Sequence, residues 1–213
     1  MGFDDSTLID INNAQGYSEA DDFTAERYAQ FIRYFPATTC DVLDIGCNTG
    51  RGAAVLKARF SHLHIVGLDC VPDRLARLDP GIFDKTICGF ADRVNLPGGS
   101  FDTIVAGEVL EHIPSSAVFP SLCECFRLLR LGGRFLATTP NPNYVKNRWR
   151  NQSVLQEPSH VSQHTPASLR RKLEDAGFSH IRVCGSGRMT RYVGQHFPLL
   201  SVYGSYLVMG VKW

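Results

Sequence analysis

The sequence lacks three features, and each absence argues against a particular class of protein. It has no excess of basic residues: 22 lysines and arginines stand against 21 aspartates and glutamates, which argues against a long nucleic-acid partner. It has no apolar run of the roughly 20 residues that a membrane span needs. The nearest candidate, residues 197–211, is interrupted by Gly204 and Gly210. It has no internal repeat or low-complexity segment, and its composition is that of an ordinary globular protein.

Paired cysteines of the CxxC type are also absent, which argues against a zinc ribbon or a thioredoxin-like motif. Seven cysteines lie at scattered positions, and we interpret them as reduced thiols in a reducing compartment. The first residues lack the basic and apolar regions of a signal peptide. The sequence therefore predicts a cytoplasmic protein without a membrane span.

Short apolar runs alternate with helix-like stretches, the pattern of a parallel sheet with helices on both faces. The predicted strands are residues 41–45, 64–69, 85–89, 101–106, 134–139, 180–185 and 206–213. The predicted helices are residues 20–35, 52–60, 116–129 and 166–177. Leu131, Gly132 and Gly133 are predicted to stop the third helix, and Thr165 to cap the fourth, with Pro166 at its first position.

Two segments have no clear period. Residues 143–165 are polar, with basic residues beside Trp149, and are predicted to form a lid or substrate loop. Residues 186–205 form a second insertion on the substrate side. No boundary divides the chain convincingly, so we predict a single domain over residues 1–213.

The strongest local signal is a glycine-containing turn at residues 46–50, directly after the predicted first strand. Glycine lets a ligand approach the backbone closely, and ligands bind beyond the carboxyl ends of strands in such sheets. The dinucleotide fingerprint GxGxxG fails, because Asn48 stands where a second glycine belongs. Asp44 suits an ammonium group better than a pyrophosphate. A turn that merely connects a strand to a helix is the plainer alternative.

Further motifs follow the turn in a fixed order. Asp69 ends the second strand, where an acidic side chain can accept both hydroxyls of a ribose. Asp92 follows the third strand, residues 101–106 lead into Glu108, and a Leu-Gly-Gly sequence follows at residues 131–133. This order resembles the class I S-adenosylmethionine-dependent methyltransferases over roughly residues 41–177.

The resemblance implies a Rossmann-like, doubly wound α/β fold. Its seven-stranded sheet is mostly parallel with an antiparallel last strand, and helices cover both faces. It also implies S-adenosyl-L-methionine as cofactor. Asp44 and the turn would hold the methionine part, Asp69 the ribose, and Asp92 with the backbone of Arg93 the adenine, while the backbone near Glu108 would close the methionine side. The cofactor-binding residues so implied are Asp44, Gly46, Cys47, Asn48, Gly50, Asp69, Cys70, Asp92, Arg93 and Glu108.

Glu108, Glu111 and His112 are spaced i, i+3 and i+4, so on a helical turn they would share one face. His112 is a candidate general base, oriented by a carboxylate such as Glu111. A divalent metal such as magnesium, held by this cluster plus His160, is a second interpretation. The string resembles the metal site of small-RNA 2′-O-methyltransferases and of ubiquinone-pathway O-methyltransferases. A similar string is frequent in members without a metal, so a structural role stays open and we assign no metal ligand.

Residues 157–166 carry two more histidines. We expect His160 to face the substrate as a third catalytic residue, and His164, just before the predicted cap, to be solvated or capping. The leading hypothesis is O-methylation of a small-molecule or saccharide acceptor. An RNA ribose 2′-O-methyltransferase and a non-catalytic cofactor-binding partner or regulator are the alternatives. The sequence leaves the oligomeric state open.

Overall fold

A computed structural model describes residues 4–14 and 23–213 of the chain. The strands are β1 (Asp41–Ile45), β2 (His64–Asp69), β3 (Lys85–Cys88), β4 (Phe101–Gly107), β5 (Leu129–Pro140), β6 (Ser179–Ser186) and β7 (Ser205–Val211). The helices are α1 (Asp5–Asn13), α2 (Phe23–Ile32), α3 (Arg51–Arg59), α4 (Pro72–Leu75), α5 (Ser115–Leu128), α6 (Val145–Trp149), α7 (Pro166–Asp175) and α8 (Thr190–Val193). Short 3₁₀ turns occupy Leu110–His112, Val154–Gln156 and Leu200–Val202.

All seven strands belong to one sheet of order β3-β2-β1-β4-β5-β7-β6. The first five pair in parallel, and β7 runs antiparallel to both β5 and β6. The predicted Rossmann-like, doubly wound fold with an antiparallel last strand is therefore confirmed. The order reverses between β1 and β4, which opens a crevice beyond the carboxyl ends of these strands.

Both faces of the sheet are covered by apolar clusters. One cluster joins the sheet to α5 and α7, and the other joins it to α2 and α3. The central strand β1 is buried from Val42 to Ile45, and Asp44 is the one charged residue in this buried stretch. No helix in the described ranges is both long and apolar enough to cross a bilayer.

Most predicted elements lie within two or three residues of their observed bounds, but β5 differs. It begins at Leu129, so the predicted helix stop at residues 131–133 lies inside the strand. Phe101 pairs with Leu129 whereas Thr103 pairs with Arg134, so the extra residues of β5 form a bulge with Gly132 at φ +80°. Pairing with β4 thus extends β5 across the residues where the glycines indicated a helix stop.

The predicted cap of α7 is present. The Thr165 hydroxyl accepts a hydrogen bond from the Ser168 backbone N–H at 3.2 Å, and the Ser168 hydroxyl oxygen accepts one from the Thr165 N–H at 3.0 Å. The predicted lid, residues 143–165, contains α6 and a 3₁₀ turn instead of being wholly irregular. The predicted opening helix is α2, and residues 20–22 of that prediction lie outside the described residues. The single-domain assignment stays a prediction.

Candidate active site

A cavity of about 540 Å³ lies in the crevice at the carboxyl ends of β1, β2 and β4. Its size is within the range of pockets that bind small molecules and cofactors. Most of the predicted cofactor residues line it: Gly46, Cys47, Asn48, Asp69, Cys70, Asp92, Arg93 and Glu108. Asp44 and Gly50 do not, and of the three predicted catalytic residues only His112 lines it directly.

The turn after β1 has three residues with positive φ: Gly46 at +67°, Asn48 at +47° and Gly50 at +77°. Asparagine tolerates this region better than most residues, so the turn forms without a second glycine. A Cβ at residue 46 would lie 2.5 Å from a methyl group of Val109, which excludes a side chain there. A Cβ at Gly50 would face Leu78 and Phe83, and Gly50 precedes the first residue of α3.

Asp44 lies behind the wall of the cavity, where Tyr28 of α2 covers it. The Tyr28 hydroxyl donates a hydrogen bond of 2.5 Å to Asp44 Oδ1, and both side chains are buried. Asp44 Oδ2 is buried without a hydrogen-bond partner among the described residues. Burial raises the pKa of Asp44 to about 7, and the Tyr28 hydrogen bond opposes this rise. Tyr28, which the sequence analysis did not identify, thus forms the wall in place of Asp44.

Two glycines allow Tyr28 to reach Asp44. A Cβ at Gly52 would lie 2.1 Å from the Tyr28 ring, and a Cβ at Gly107 would lie 3.0 Å from it. No local motif indicates this contact, because Gly52, Gly107 and Tyr28 belong to three different elements. Only the packing of α2 on α3 and β4 brings them together.

The Asp69 carboxylate is held by the backbone at the end of β2. Its Oδ2 accepts from the Asn48 N–H at 3.0 Å, and its Oδ1 accepts from the Val71 N–H at 2.9 Å. Arg74 Nη1 lies 3.8 Å from Oδ2. These contacts orient the carboxylate toward the cavity beside Cys70.

Helix α1 closes the far end of the cavity, which the sequence analysis did not predict. Asp5 pairs with Arg93 at 2.5 Å, and Arg93 in turn lies 3.5 Å from Asp92. Leu8 is buried, and the carbonyl of Asn12 accepts a hydrogen bond from Arg74. The short helix carries no recognisable binding motif, so only its position shows that it contributes to the wall.

At the opposite end, Glu108 has a positive φ of +56° and lies outside the 3₁₀ turn at Leu110–His112. The expectation that it shares a helical face with Glu111 and His112 is therefore wrong, because the chain turns sharply at Glu108. Its Oε1 lies 3.6 Å from Arg27 Nε, and its Oε2 accepts a 3.4 Å hydrogen bond from Ser205. Arg27, which the sequence analysis also missed, lines the cavity.

Glu111, His112 and His160 form a compact cluster, with one ligating atom from each within 4.8 Å of the others. Glu111 is buried; its Oε2 accepts from the Thr139 hydroxyl at 3.0 Å, and its Oε1 has no hydrogen-bond partner among the described residues. Burial, followed by repulsion from Glu108, raises the pKa of Glu111 well above its ordinary value. The two imidazole rings are 5.0 Å apart, edge to face.

Backbone carbonyls orient both imidazoles. His112 Nδ1 lies 2.9 Å from the Ser159 carbonyl oxygen, and His160 Nδ1 lies 2.7 Å from that of Val154. Because a carbonyl oxygen only accepts, each Nδ1 carries the proton and each Nε2 is the basic nitrogen. Burial lowers the pKa of His112 to about 4, so its imidazole is neutral at pH 7.

His164 is buried, not solvated as the sequence predicted, and it does not cap α7. Its Nε2 lies 3.1 Å from the Leu110 carbonyl oxygen and 3.0 Å from the Ser162 hydroxyl. Nearby, the backbone N–H groups of Val161 and Ser162 donate to the Glu111 carbonyl oxygen. Residues 157–164 thus form a strap that holds the Leu110–His112 turn in place.

Comparisons with known proteins agree with this geometry. A family model described as a methyltransferase domain matches residues 19–183. The chain is 36% identical over 141 residues to a probable S-adenosylmethionine-dependent methyltransferase of Mycolicibacterium smegmatis, covering 65% of this chain and 51% of that protein. It thus spans about half the length of that relative.

Two further similarities are informative. The chain is 25% identical over 192 residues to a malonyl-[acyl-carrier protein] O-methyltransferase of Herminiimonas arsenicoxydans, covering 88% of this chain and 69% of that protein. The crystal structure of an S-adenosylmethionine-dependent methyltransferase from Archaeoglobus fulgidus has a TM-score of 0.71 at 19% identity, covering 88% of this chain and 92% of that one. At this identity the structural likeness concerns the fold alone.

The Tyr28–Asp44 pair generates a pH-dependent prediction. Tyr28→Phe removes the donor that favours ionised Asp44, so the substitution should cost about 1–3 kcal/mol of unfolding free energy where Asp44 is ionised. Asp44 has a raised pKa near 7. The cost should therefore be largest at about pH 8.5 and smaller at about pH 5.5, where Asp44 carries its own proton. Urea denaturation of both proteins across this range measures it, and a pH-independent difference would contradict the assignment.

Proposed function

We propose that this chain, which belongs to the methyltransferase domain family, uses S-adenosylmethionine to methylate an oxygen of a small-molecule or saccharide acceptor. The observation that carries the proposal is the order of groups along one cavity. Asp92 and Arg93 lie at one end, Asp69 and the residue 46–50 turn follow, and Glu108 and His112 lie at the other end. The relatives named as methyltransferases support the cofactor, and the O-methyltransferase relative supports the acceptor atom.

The residues of the cavity fit the parts of the cofactor. The oriented carboxylate of Asp69 suits a ribose diol, and the turn at residues 46–50 allows close approach to its backbone. Arg27 and Glu108 form a pair of opposite charges at the cavity wall. An amino-acid zwitterion can place its carboxylate against Arg27 and its ammonium against Glu108. We therefore assign Arg27 and Glu108, with Asp44 behind Tyr28, to the methionine end.

When bound, the cofactor supplies an electrophilic methyl group on a sulfonium, which an oxygen attacks in line. The chain must then position the acceptor hydroxyl and accept its proton. We assign proton acceptance to Nε2 of His112, because its Nδ1 donates to Ser159 and its ring lines the cavity. The low pKa makes neutral His112 a weak base; Glu111, whose carboxyl lies within 4.8 Å of it, would stabilise the imidazolium that forms only in its ionised form. His160 adjoins the same ring and would orient the acceptor.

We propose a cytoplasmic location for the same chain. All seven cysteines are free thiols, and this is the state that a reducing compartment maintains.

The cofactor assignment predicts the effect of removing Asp69. Asp69→Ala should weaken S-adenosylmethionine and S-adenosylhomocysteine binding by roughly 10- to 100-fold, because hydrogen bonds to a charged group are lost. Isothermal titration calorimetry measures both ligands. Asp84→Ala is the matched control, because Asp84 also accepts a backbone N–H, from Ile65, but does not line the cavity. A folded wild-type protein that binds neither ligand would overturn the proposed function.

The catalytic assignment predicts that His112→Ala and His160→Ala lower methyl transfer by roughly 10²- to 10⁴-fold. Cofactor affinity should change little in His160→Ala, because His160 does not line the cavity. The assay follows S-adenosylhomocysteine release with a panel of hydroxylated aromatic compounds, saccharides and an RNA oligonucleotide. His64→Ala is the control, since His64 is exposed at the opposite end of β2. Wild-type turnover on RNA alone would favour the ribose 2′-O alternative, and unchanged turnover in both variants would contradict the assignment.

The same cluster also fits a divalent cation, which is the second candidate mechanism. Two imidazoles and one buried carboxylate lie within 4.8 Å, and histidines that ligate metals usually donate their other ring N–H to a carbonyl or carboxylate. A bound cation there would lower the pKa of the acceptor hydroxyl.

Chelation separates the two mechanisms. If His112 acts as the base without a metal, dialysis against EDTA should leave turnover unchanged, and added magnesium should not increase it. Calorimetry of S-adenosylmethionine binding in the same samples is the control, because the cofactor residues lie outside the cluster. Turnover that EDTA abolishes and magnesium restores would assign Glu111, His112 and His160 as metal ligands.

A further inference from the structure

The two insertions, residues 143–165 and 186–205, carry most of the exposed large hydrophobic side chains in the part of the chain that the structure describes. Of the ten large hydrophobic side chains that are exposed in the described residues, seven lie in these segments. Trp149 and Tyr192 protrude furthest, with 84% and 80% of their surface accessible. Such a concentration marks a contact surface, because exposed apolar residues of a soluble domain are usually scattered singly.

The same segments are strongly basic although the whole chain is nearly neutral. They hold five lysines and arginines and a single acid, Glu157, which leaves 17 basic and 20 acidic residues elsewhere. Arg191 pairs with Glu26 of α2. Lys146, Arg148 and Arg150 flank Trp149 in the sequence, and no carboxylate of the described residues pairs with them. The surface therefore combines apolar side chains with uncompensated positive charge.

The structure brings the two segments into contact next to the candidate active site. Helix α6 packs against the 3₁₀ turn at Leu200–Val202. Asn141, between them, donates its amide N–H groups to the carbonyl oxygens of Leu200 and Tyr203. Ser205 at the end of this surface contacts Glu108, and the strap at residues 157–164 carries His160. We call residues 143–156 and 188–204 the insertion surface; it borders the end of the cavity assigned to the acceptor.

We propose that the insertion surface docks the protein on an anionic membrane surface, where it meets an acceptor held at the lipid–water interface. Tryptophan, tyrosine and phenylalanine beside lysine and arginine are the combination that lies stably among lipid headgroups. The cations complement anionic lipids, and the net negative charge of the remaining chain favours this face. A folded protein partner would need a matching pocket for each protruding ring. A bilayer accommodates any side chain that is mostly exposed on the surface of the protein.

Vesicle flotation tests the proposal directly. The full chain should float with vesicles of phosphatidylcholine and phosphatidylglycerol at low salt, bind pure phosphatidylcholine vesicles much more weakly, and dissociate as salt increases. In a Trp213→Phe protein Trp149 is the only tryptophan. Its emission should shift to the blue when anionic vesicles are added, which reports insertion at this side chain rather than binding elsewhere.

Substitutions test whether vesicle binding depends on the insertion surface or on exposed side chains elsewhere. The double variant Lys146→Ala, Arg150→Ala should weaken anionic-vesicle binding by roughly 25-fold, about fivefold for each cation. Trp149→Ser should weaken it by roughly tenfold. The controls are Leu131→Ser and Arg171→Ala, which alter side chains outside the insertions that are also exposed. These should bind as the wild type does, and circular dichroism verifies that every variant is folded.

Three results would overturn the proposal: no flotation with anionic vesicles at low salt, equal losses in the control variants, or a dimer in sedimentation velocity that Trp149→Ser dissociates. The last result would assign the surface to a second copy of the chain. Vesicle binding requires neither cofactor nor acceptor. Its failure therefore leaves the calorimetric test of the proposed function intact, and a failure of that test leaves the vesicle result intact.

Discussion

The buried hydrogen bond between Tyr28 and Asp44 is the interaction on which the arrangement of the site depends. Asp44 lies at the centre of the sheet, fully out of water, and a buried carboxylate without a donor is costly. The Tyr28 hydroxyl meets this need only if α2 packs directly over the ends of β1 and β4. Gly52 and Gly107 make that close approach possible.

Once α2 is placed, its neighbouring residues organise both ends of the site. Arg27 faces Glu108 at the cavity wall, and Glu26 pairs with Arg191 in the second insertion. Gln30 contacts Thr190 and Ser186 in the same insertion. One helix therefore connects the cavity with the surface that we assign to membrane docking, and a change in its position would affect both.

A different segment, the strap at residues 157–164, holds the side chains at the acceptor end of the cavity in place. The strap at residues 157–164 donates two backbone N–H groups to the Glu111 carbonyl oxygen and offers the Ser159 carbonyl oxygen to His112. These contacts orient the imidazoles before any ligand binds, so little reorganisation is needed when the acceptor arrives. Because β7 runs antiparallel beside β5, it brings Ser205, at the end of the second insertion, to Glu108.

The sequence by itself determined the alternation of strands and helices, the turn at residues 46–50 and the positions of Asp69 and Asp92. These depend on local chain properties: burial of a parallel strand on both faces, the backbone freedom of glycine, and residues that directly follow strands. The cap at Thr165 was predictable for the same reason. Only the tertiary structure decided that Tyr28 covers Asp44, that Arg27 faces Glu108, that Glu108 lies outside the 3₁₀ turn of Glu111 and His112, and that His164 is buried. Each of these facts joins residues from different elements, and the energy of a buried polar group depends on partners that sequence spacing does not reveal.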